Sequence, residues 1–390
     1  MRRELDALDD HLSAMGVDGY LVDAPGTNAD QRYVTGFGAV DPFTSLYVNG
    51  TVHLLVRGLD RGLAREDSFA DTVAAPVDFS YREKVEEHGA PEAQRLVAVE
   101  FVRSRDVNRV AVPERFPLGR AEGLRAADIG VEVTTEDILG DIRAVKTDEE
   151  VAAIREAQRA TERSMRRVQS LLSDATVADG VLQAEGETLT SERLKEEIEV
   201  TLVRNGCALE ETIVAGGEQA ADPHHRGNGP LSPNEPIVVD IFPREKETKY
   251  HADMTRTFCV GEPSETARAW YDRTEAALET ALDMLSPGVT GAAVHDAVCD
   301  VYEEAGIPTT RSDEGTDRGF VHGTGHGVGL EVHEAPSVNT VGEELEVGHV
   351  VTIEPGVYDP SVGGIRIEDL VVITEDGHEN LTDYEKQFVV

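Results

Sequence analysis

Hydrophobic residues recur at two spacings along the chain, and these spacings separate predicted helices from predicted strands. Apolar side chains at every third or fourth position of residues 3–15 predict a short amphipathic helix: Leu5, Leu8, Leu12 and Met15. Short apolar runs joined by turn-rich segments predict strands at 19–22, 53–56 and 110–113. This alternation predicts an α/β domain that spans residues 1–145.

A second domain is predicted over residues 146–390, where longer helical patterns begin. Thr147 and Glu150 match a capping box at the start of a long helix. Residues 173–190 are polar and contain glycine, which predicts an irregular surface segment. Further helical patterns cover 191–205, 264–285 and 291–305.

Apolar runs in the second half of the chain predict strands at 211–217, 236–242, 250–258, 350–354 and 365–373. A charged turn at 244–249 predicts that the second and third of these strands form a hairpin. Because side chains alternate along a strand, Asp253 shares a face with Thr255, and Arg366 shares a face with Glu368. The hairpin would also bring Asp240 close to Asp253.

The charge of the chain is strongly negative, with 75 Asp and Glu against 36 Lys and Arg and a formal net charge of -39. Its own electric field would repel nucleic acid and anionic membranes, so we exclude both as partners. Acidic residues spread over the whole chain predict a halophilic protein, because concentrated salt screens the repulsion between them. Since 40% of the 390 residues are hydrophobic, the chain can still bury a core, and its length predicts two domains.

Three cysteines, Cys207, Cys259 and Cys299, are odd in number and far apart, without C-x-x-C spacing. This pattern predicts buried thiols in a reducing compartment rather than a disulfide framework or a structural zinc site. No run of residues approaches membrane-spanning length, and the N-terminus has no apolar segment of the signal-peptide type. We therefore expect a soluble, cytoplasmic protein.

Four carboxylates lie within or at the ends of apolar strands: Asp240, Asp253, Glu354 and Glu368. Burying them without partners would be costly, and bound cations are a better explanation than the two arginines nearby in sequence. Together with His326, they predict two divalent metal ions, with Mn or Co favoured and Fe or Zn as alternatives. A hydroxide bridging the two ions would be the nucleophile, because bound water loses its proton at roughly pH 7.

The motifs occur in the order Asp240, Asp253, G-T-G-H-G-V-G (323–329), T-I-E-P-G-V-Y (352–358) and R-I-E-D (366–369). This order resembles the dinuclear metallopeptidases of the pita-bread fold, in the branch of the Xaa-Pro aminopeptidases and prolidases. The match is specific as a set, whereas each motif alone would be weak.

The resemblance extends beyond these motifs, which lie within about residues 211–370. The phrases Q-R-Y-V-T-G-F (31–37) and I-R-A-V-K-T-D-E-E (142–150) are similar to that branch's N-terminal domain and domain junction. The resemblance therefore implies a creatinase-like α/β N-terminal domain and an α+β pita-bread catalytic domain of the creatinase/aminopeptidase type. It also implies a homodimer.

The resemblance implies a metal-binding role for five residues. Asp240 would bind one metal ion, and Asp253 and Glu368 would bridge both ions. His326 and Glu354 would bind the other ion. This set supplies four negative charges, which balance two divalent cations.

The family also implies catalytic residues beside the metal ions. Glu354 would move a proton between the attacking water and the leaving nitrogen. His224 and His333 would donate hydrogen bonds to the substrate carbonyl or to the developing oxyanion. Arg366 would orient Glu368 or the substrate.

The sequence departs from the family pattern at three places. The interval from Asp240 to Asp253 is about two residues longer than expected, and a hairpin turn can absorb this excess. The interval from His224 to Asp240 is about one residue short, which leaves His225 as an alternative to His224. Ser337 stands where archaeal prolidases carry an arginine for the dipeptide carboxylate.

The function predicted from these residues is a two-metal Xaa-Pro aminopeptidase acting on peptides with proline at the second position. No Lys or Arg occurs between Arg318 and Arg366, and a dipeptidase needs a cation for the free carboxylate of its substrate. An Xaa-Pro dipeptidase, or prolidase, remains the main alternative. A peptide-binding module of the same fold without enzymatic activity is the third hypothesis.

Overall fold

The computed structural model describes residues 5–390, which divide into two compact units at residues 143 and 144. The helices of the first unit are α1 Asp6–Met15, α2 Ala29–Thr35, α3 Arg61–Asp67, α4 Tyr81–His88, α5 Ala90–Arg103, α6 Leu118–Arg125 and α7 Ile138–Ala144, the last of which ends at the division. Its strands are β1 Gly19–Ala24, β2 Phe43–Val48, β3 Thr51–Leu55, β4 Thr72–Ala74, β5 Arg109–Val112 and β6 Gly130–Val133. The first helix and the three predicted strands are confirmed, except that residues 3 and 4 lie outside the described residues.

The first unit is built on one mixed sheet with the strand order β4-β3-β2-β1-β5-β6. β2 pairs antiparallel with both β1 and β3, whereas the other three pairings are parallel, so β2 is the strand of this sheet that runs against the rest. Apolar residues of the sheet and of α5 and α6 form its core, among them Leu21, Leu46, Phe101, Val110 and Leu124. Helices packed on a largely parallel sheet confirm the predicted α/β class.

The second unit contains four α-helices in its described residues: α8 Asp148–Ser173, α9 Ser191–Arg204, α10 Glu265–Met284 and α11 Gly291–Glu304. The predicted capping box is present at α8, where the Glu150 backbone N–H donates to Thr147 Oγ1 at 3.4 Å. In return, the Thr147 backbone N–H donates to Glu150 Oε2 at 2.8 Å. The predicted helices are thus confirmed to within about two residues at each end.

The strands of the second unit are short. They are β7 Thr176–Ala178, β8 Val181–Ala184, β9 Glu187–Thr188, β10 Cys207–Ala208, β11 Thr212–Gly216, β12 Ile237–Ile241, β13 Arg244–Glu245, β14 Thr255–Phe258, β15 Gly325–Gly327, β16 Glu334–Val338, β17 Val350–Ile353, β18 Gly356–Asp359, β19 Gly363–Arg366, β20 Asp369–Thr374 and β21 Gly377–Asn380. Two sheets position the functional side chains, with the orders β11-β12-β14 and β16-β15-β17-β20-β21.

Residues 173–190 are more regular than the sequence analysis predicted. They form a three-stranded antiparallel meander, β7-β8-β9, and therefore are not an irregular surface segment. Leu182 and Leu189 are fully buried in the core beneath α8 and α9. Two apolar residues within a polar stretch are enough to anchor a short meander. In the sequence, these two leucines are a weaker signal than the polar composition around them.

Two predicted strands are shorter than expected. The strand predicted at 250–258 begins only at Thr255, so Asp253 lies in the bend before β14. The strand predicted at 365–373 is interrupted at Ile367 and Glu368, which separate β19 from β20. The prediction was wrong there because the chain leaves one sheet and enters another, and alternation alone does not mark such a change.

All three cysteines are buried and free, as predicted. None of the helices in the described residues is long and apolar enough to cross a membrane.

Candidate active site and metal centre

Asp240 is the fourth residue of β12, the central strand of its sheet. Its Cα is paired with Ile213 of β11 on one side and with Thr255 of β14 on the other. Both edges of β12 are therefore hydrogen-bonded, and the carboxylate of Asp240 is buried among apolar strands. A carboxylate in this position needs a cationic partner.

Asp253 and Glu368 both lie close to Thr255, the first residue of β14. The Glu368 backbone N–H donates to the carbonyl oxygen of Thr255 at 3.1 Å, and the Thr255 hydroxyl donates to Glu368 Oε2 at 2.8 Å. Asp253 lies only two residues before Thr255. The break between β19 and β20 thus places Glu368 directly beside the bend that carries Asp253.

His326 is the middle residue of β15, between two glycines, and β15 lies between β16 and β17. A Cβ atom at Gly325 would lie 1.9 Å from Thr352 O, and one at Gly327 would lie 2.1 Å from Ala335 O. Both glycines are therefore required for close approach of the neighbouring strands.

The side chains of Asp253, His326 and Glu368 converge, with one potential ligand atom from each lying within 4.8 Å of the others. His326 Nε2 is 3.4 Å from Glu354 Oε1 and 3.7 Å from Asp253 Oδ2. Four of the five predicted ligands thus surround one small volume. Asp240, the fifth, lines the same cavity.

The chemistry of this group fits divalent cations. Asp240 Oδ1 and Asp253 Oδ1 are both buried without a hydrogen-bond partner. An unsatisfied buried carboxylate oxygen is costly, and a metal ion would satisfy both atoms. An oxygen-rich set with one imidazole is a plausible donor set for divalent cations, whereas the structural zinc sites of proteins favour cysteine and histidine.

The electrostatics of the group also require positive charge. Burial, followed by the negative charges of Glu368 and Asp240, raises the pKa of Asp253 well above its ordinary value. Burial and the charge of Glu354 likewise raise the pKa of Glu368. Burial raises the pKa of Glu354 to about 7. Without added cations, these carboxylates therefore resist ionisation together.

Arg366 is the buried cation beside this group, and its side-chain donors are occupied. Nη2 donates to Asp240 Oδ2 at 2.6 Å, and Nε donates to Thr255 Oγ1 at 3.2 Å. Nη1 donates to the Tyr358 hydroxyl at 3.1 Å and to the Pro223 carbonyl oxygen at 3.3 Å. This corrects the expected contact: Arg366 pairs with Asp240 and reaches Glu368 only through the hydroxyl of Thr255.

His333 and His224 both line the cavity. The ring of His333 meets the ring of His326 edge to face, with centroids 4.2 Å apart. The ring of His225 is occupied instead, because its Nδ1 accepts the backbone N–H of Gly227 at 2.9 Å. The geometry therefore favours His224 over His225 as the histidine facing the substrate.

A cavity of about 740 Å³ opens over these side chains, and all eight predicted site residues line it. Its lining also includes Ser337 of β16 and Asn339, which directly follows that strand. A space of this size accommodates a small peptide.

The chain was compared with known proteins. The sequence profile of metallopeptidase family M24 matches residues 152–375. The chain belongs to metallopeptidase family M24. Membership agrees with the resemblance stated above, and it makes the chain a hydrolase that uses metal ions.

Two curated M24 relatives carry dipeptidase names. An Xaa-Pro dipeptidase from Pyrococcus furiosus is 31% identical over 262 residues, which cover 65% of this chain and 67% of that protein. A probable dipeptidase PepE from Mycobacterium tuberculosis is 34% identical over 278 residues, covering 70% of this chain and 66% of that protein.

Solved structures share the fold over nearly the whole chain. The prolidase from Pyrococcus horikoshii matches 98% of this chain and 99% of its own, with a TM-score of 0.79 at 24% identity. An X-Pro aminopeptidase from Thermotoga maritima matches 98% of this chain and 100% of its own, with a TM-score of 0.79 at 25% identity. The predicted pita-bread fold is thereby confirmed.

The sequence analysis did not identify Tyr358 or assign a role to His322. Arg366 Nη1 donates to the Tyr358 hydroxyl, which in turn lies 2.9 Å from His322 Nε2. His322 Nδ1 lies 2.7 Å from Gly323 O, so this nitrogen carries the proton and Nε2 accepts from Tyr358. The sequence signal was the tyrosine of T-I-E-P-G-V-Y, which ends a motif otherwise made of metal-binding and apolar residues.

Proposed function

We propose that this M24 metallopeptidase is an Xaa-Pro dipeptidase that hydrolyses the bond between an N-terminal residue and a C-terminal proline. The observation that carries the proposal is the convergence of Asp253, His326, Glu354 and Glu368 on one small volume, with Asp240 lining the same cavity. The names of the curated relatives support the dipeptidase over the aminopeptidase that the sequence analysis favoured.

The five ligands would hold two divalent cations, which would acidify a water molecule and polarise the scissile carbonyl when bound. We propose Mn or Co as the ions, because four of the five ligands are carboxylates. The remaining steps depend on side chains of the chain itself.

Glu354 is the proposed proton carrier. It lies just after β17, faces His326 and lines the cavity. An Xaa-Pro bond is a tertiary amide, so its nitrogen must be protonated as it leaves. A carboxylate that takes a proton from the attacking water can return it to the proline nitrogen.

His224 and His333 are the proposed donors to the substrate oxygen. Burial and the neighbouring His326 lower the pKa of His333, so its ring is neutral at pH 7 and carries one N–H. A neutral ring can donate that hydrogen to a carbonyl as negative charge develops on the oxygen. His224 is exposed at the mouth of the cavity, where an incoming peptide would meet it.

An Xaa-Pro aminopeptidase is the second candidate. Ser337 directly follows the H-E-A-P motif (333–336) and lines the cavity, and its hydroxyl cannot neutralise a dipeptide carboxylate. No Lys or Arg between Arg318 and Arg366 is available for that purpose either. A longer peptide would not place its carboxylate at this position.

Substrate length separates the two candidates. Purified protein loaded with Mn or Co in molar KCl would be given an Xaa-Pro dipeptide and the matching Xaa-Pro-Yaa tripeptide. We expect a higher kcat/KM for the dipeptide. Faster cleavage of the tripeptide would favour the aminopeptidase, and no cleavage of either peptide by protein that binds the metal would favour the binding module.

We further propose the finer features that the sequence analysis predicted. Residues 1–145 would be the creatinase-like domain, and residues 146–390 the catalytic domain. The acidic surface would require concentrated salt, and the active form would be a homodimer. The buried free cysteines are consistent with a reducing compartment such as the cytoplasm.

A further inference from the structure

The cavity offers few positive charges to an anionic substrate. Among its lining residues, Arg226 and Arg366 carry the cationic side chains. Arg366 is buried, and its donors are committed to Asp240, Thr255, Tyr358 and Pro223. A peptide carboxylate that enters the cavity therefore has Arg226 as its available guanidinium among the lining residues.

Arg226 is held on the cavity wall by its backbone and by two neighbours. The Val214 backbone N–H donates to Arg226 O at 3.2 Å, which fixes the segment beside β11. The guanidinium carbon lies 5.7 Å from the ring centroid of Phe242, and Nη2 donates to the carboxylate of Glu211. The side chain keeps 44% exposure, so its remaining donors can be reached by a ligand.

The wall leads from the metal ligands to this arginine. Asp240 and Phe242 are two residues apart and both line the cavity, as do Ile213 of the neighbouring strand β11 and Glu211, which directly precedes that strand. Two residues of strand span about 7 Å. The guanidinium of Arg226, which lies beside Phe242, is therefore on the same cavity wall as Asp240.

We propose that Arg226 binds the C-terminal carboxylate of the dipeptide substrate, with Glu211 as its partner in the free enzyme. This inference rests on the proposed dipeptidase function. The carboxylate of a dipeptide lies one residue beyond the scissile bond, about 3.5 Å along an extended chain.

The contact with Phe242 gives the guanidinium a fixed plane, as required for two parallel hydrogen bonds to a carboxylate. Glu211 competes for the same donors, so a ligand must carry a full negative charge to displace it. A neutral C-terminal amide would not do so. Arg226 would thus select for a free carboxylate, the role that Ser337 cannot perform.

The test compares two substrates on the same enzyme, an Xaa-Pro dipeptide and its C-terminal amide. Arg226→Gln should raise KM for the free acid roughly 10- to 100-fold, because hydrogen bonds between charged groups are lost, and should leave the amide nearly unchanged. Arg226→Lys should recover only part of the loss, since lysine cannot form the paired contact. Glu211→Gln should lower KM for the free acid by removing the competing carboxylate.

Arg318→Gln is the matched control, because Arg318 is exposed, pairs with Asp359 and does not line the cavity. Arg318→Gln should leave KM unchanged for both the free acid and the amide. Equal losses on acid and amide in Arg226→Gln would overturn the inference and indicate that Arg226 only supports the wall. A wild-type enzyme that cleaves neither Xaa-Pro substrate would instead overturn the proposed function.

Discussion

Glu368 and Asp369 are adjacent in sequence and both nearly fully buried, yet they have opposite electrostatic environments. Glu368 accepts a hydrogen bond from the Thr255 hydroxyl and faces other carboxylates. Asp369 accepts from Arg256 Nη2 at 2.7 Å, and its second oxygen lies 3.2 Å from Lys386 Nζ. Asp369 thus forms ion pairs with two protein cations, whereas no ion pair of Glu368 with a lysine or arginine is found among the described residues.

The pKa values of the two groups follow this difference. Burial and the charges of Glu354 and Asp240 raise the pKa of Glu368 well above its ordinary value. Burial alone would raise the pKa of Asp369 too, but Arg256 and Lys386 outweigh burial and hold it below its ordinary value. A buried carboxylate with protein counter-charges supports the fold, whereas one without them indicates an external cation.

The largest effect should come from Glu368→Gln. Loss of one metal ligand should lower kcat/KM by more than about 100-fold and reduce the bound metal, because even residues behind a ligand contribute up to that much. The metal-free protein should be as stable as the parent or more stable, since a neutral amide replaces a carboxylate that resists ionisation. Metal analysis and urea denaturation measure the two effects, and a strongly destabilised metal-free variant would contradict this assignment.

Asp369→Asn should have the opposite effects: it should lower the stability of the protein and leave metal binding intact. It leaves Arg256 and Lys386 without their common anion, and breaking a buried ion pair costs about 3–5 kcal/mol. The free energy of unfolding from urea titration should fall by this amount. The folded fraction should still bind metal with the parent stoichiometry, and loss of metal alone without loss of stability would reverse the roles of the two carboxylates.

The stability of the metal-free protein should fall as pH rises. A carboxylate whose pKa is higher in the folded protein than in the unfolded chain stabilises the folded state at low pH. This stabilisation is complete below the pKa of the unfolded chain, and it is lost as the pH rises through the pKa of the folded protein. The pKa of Glu354 is about 4.3 in the unfolded chain and about 7 in the folded protein. Between these two pH values, the free energy of unfolding should fall by about 1.4 kcal/mol per pH unit.

The measurement is the gain in Tm when Mn or Co is added in molar KCl, at pH 5 and at pH 8. The gain should be larger at pH 8, where the metal relieves repulsion between ionised carboxylates. Glu354→Gln should flatten the pH dependence of the metal-free protein. If the stability of that variant depended on pH as steeply as the stability of the parent, a group other than Glu354 would be the one that titrates.

Tyr358→Phe should have the smallest effect. It removes the hydroxyl between Arg366 and His322, and one hydrogen bond contributes about 1 kcal/mol, so kcat/KM should fall roughly fivefold. Tyr302→Phe is the matched control, because the Tyr302 hydroxyl is buried and donates to Thr274 at 3.1 Å. The control should lose stability without a specific loss of activity, and equal activity losses in both variants would deny Tyr358 a role at the site.

The proposed metal ligands can be selected from the sequence because a buried carboxylate is costly and therefore stands out in an apolar strand. Asp240 within I-V-V-D-I and Glu354 after V-V-T-I are two such carboxylates. The order of the motifs then indicated the family. Helices such as α8 were predictable for a similar reason, since a capping box and a long apolar stripe agree.

The sequence could not show which buried partner each group takes. Arg366 and Glu368 alternate on one face in sequence, but the chain changes sheets between them and Arg366 turns to Asp240 instead. The distance in sequence between Arg366 and Asp240 is large, and no local pattern records the pairing. The choice between His224 and His225 was unresolved for the same reason, because it depends on a loop contact at Gly227.

The two glycines beside His326 limit how this site can be altered. Main-chain atoms of Thr352 and Ala335 occupy the space that a side chain would need at Gly325 and Gly327. The position of the His326 imidazole is therefore fixed by packed backbone atoms, which substitutions of other side chains cannot move. Laboratory evolution towards another cation would have to work through the carboxylates and leave this histidine where it is.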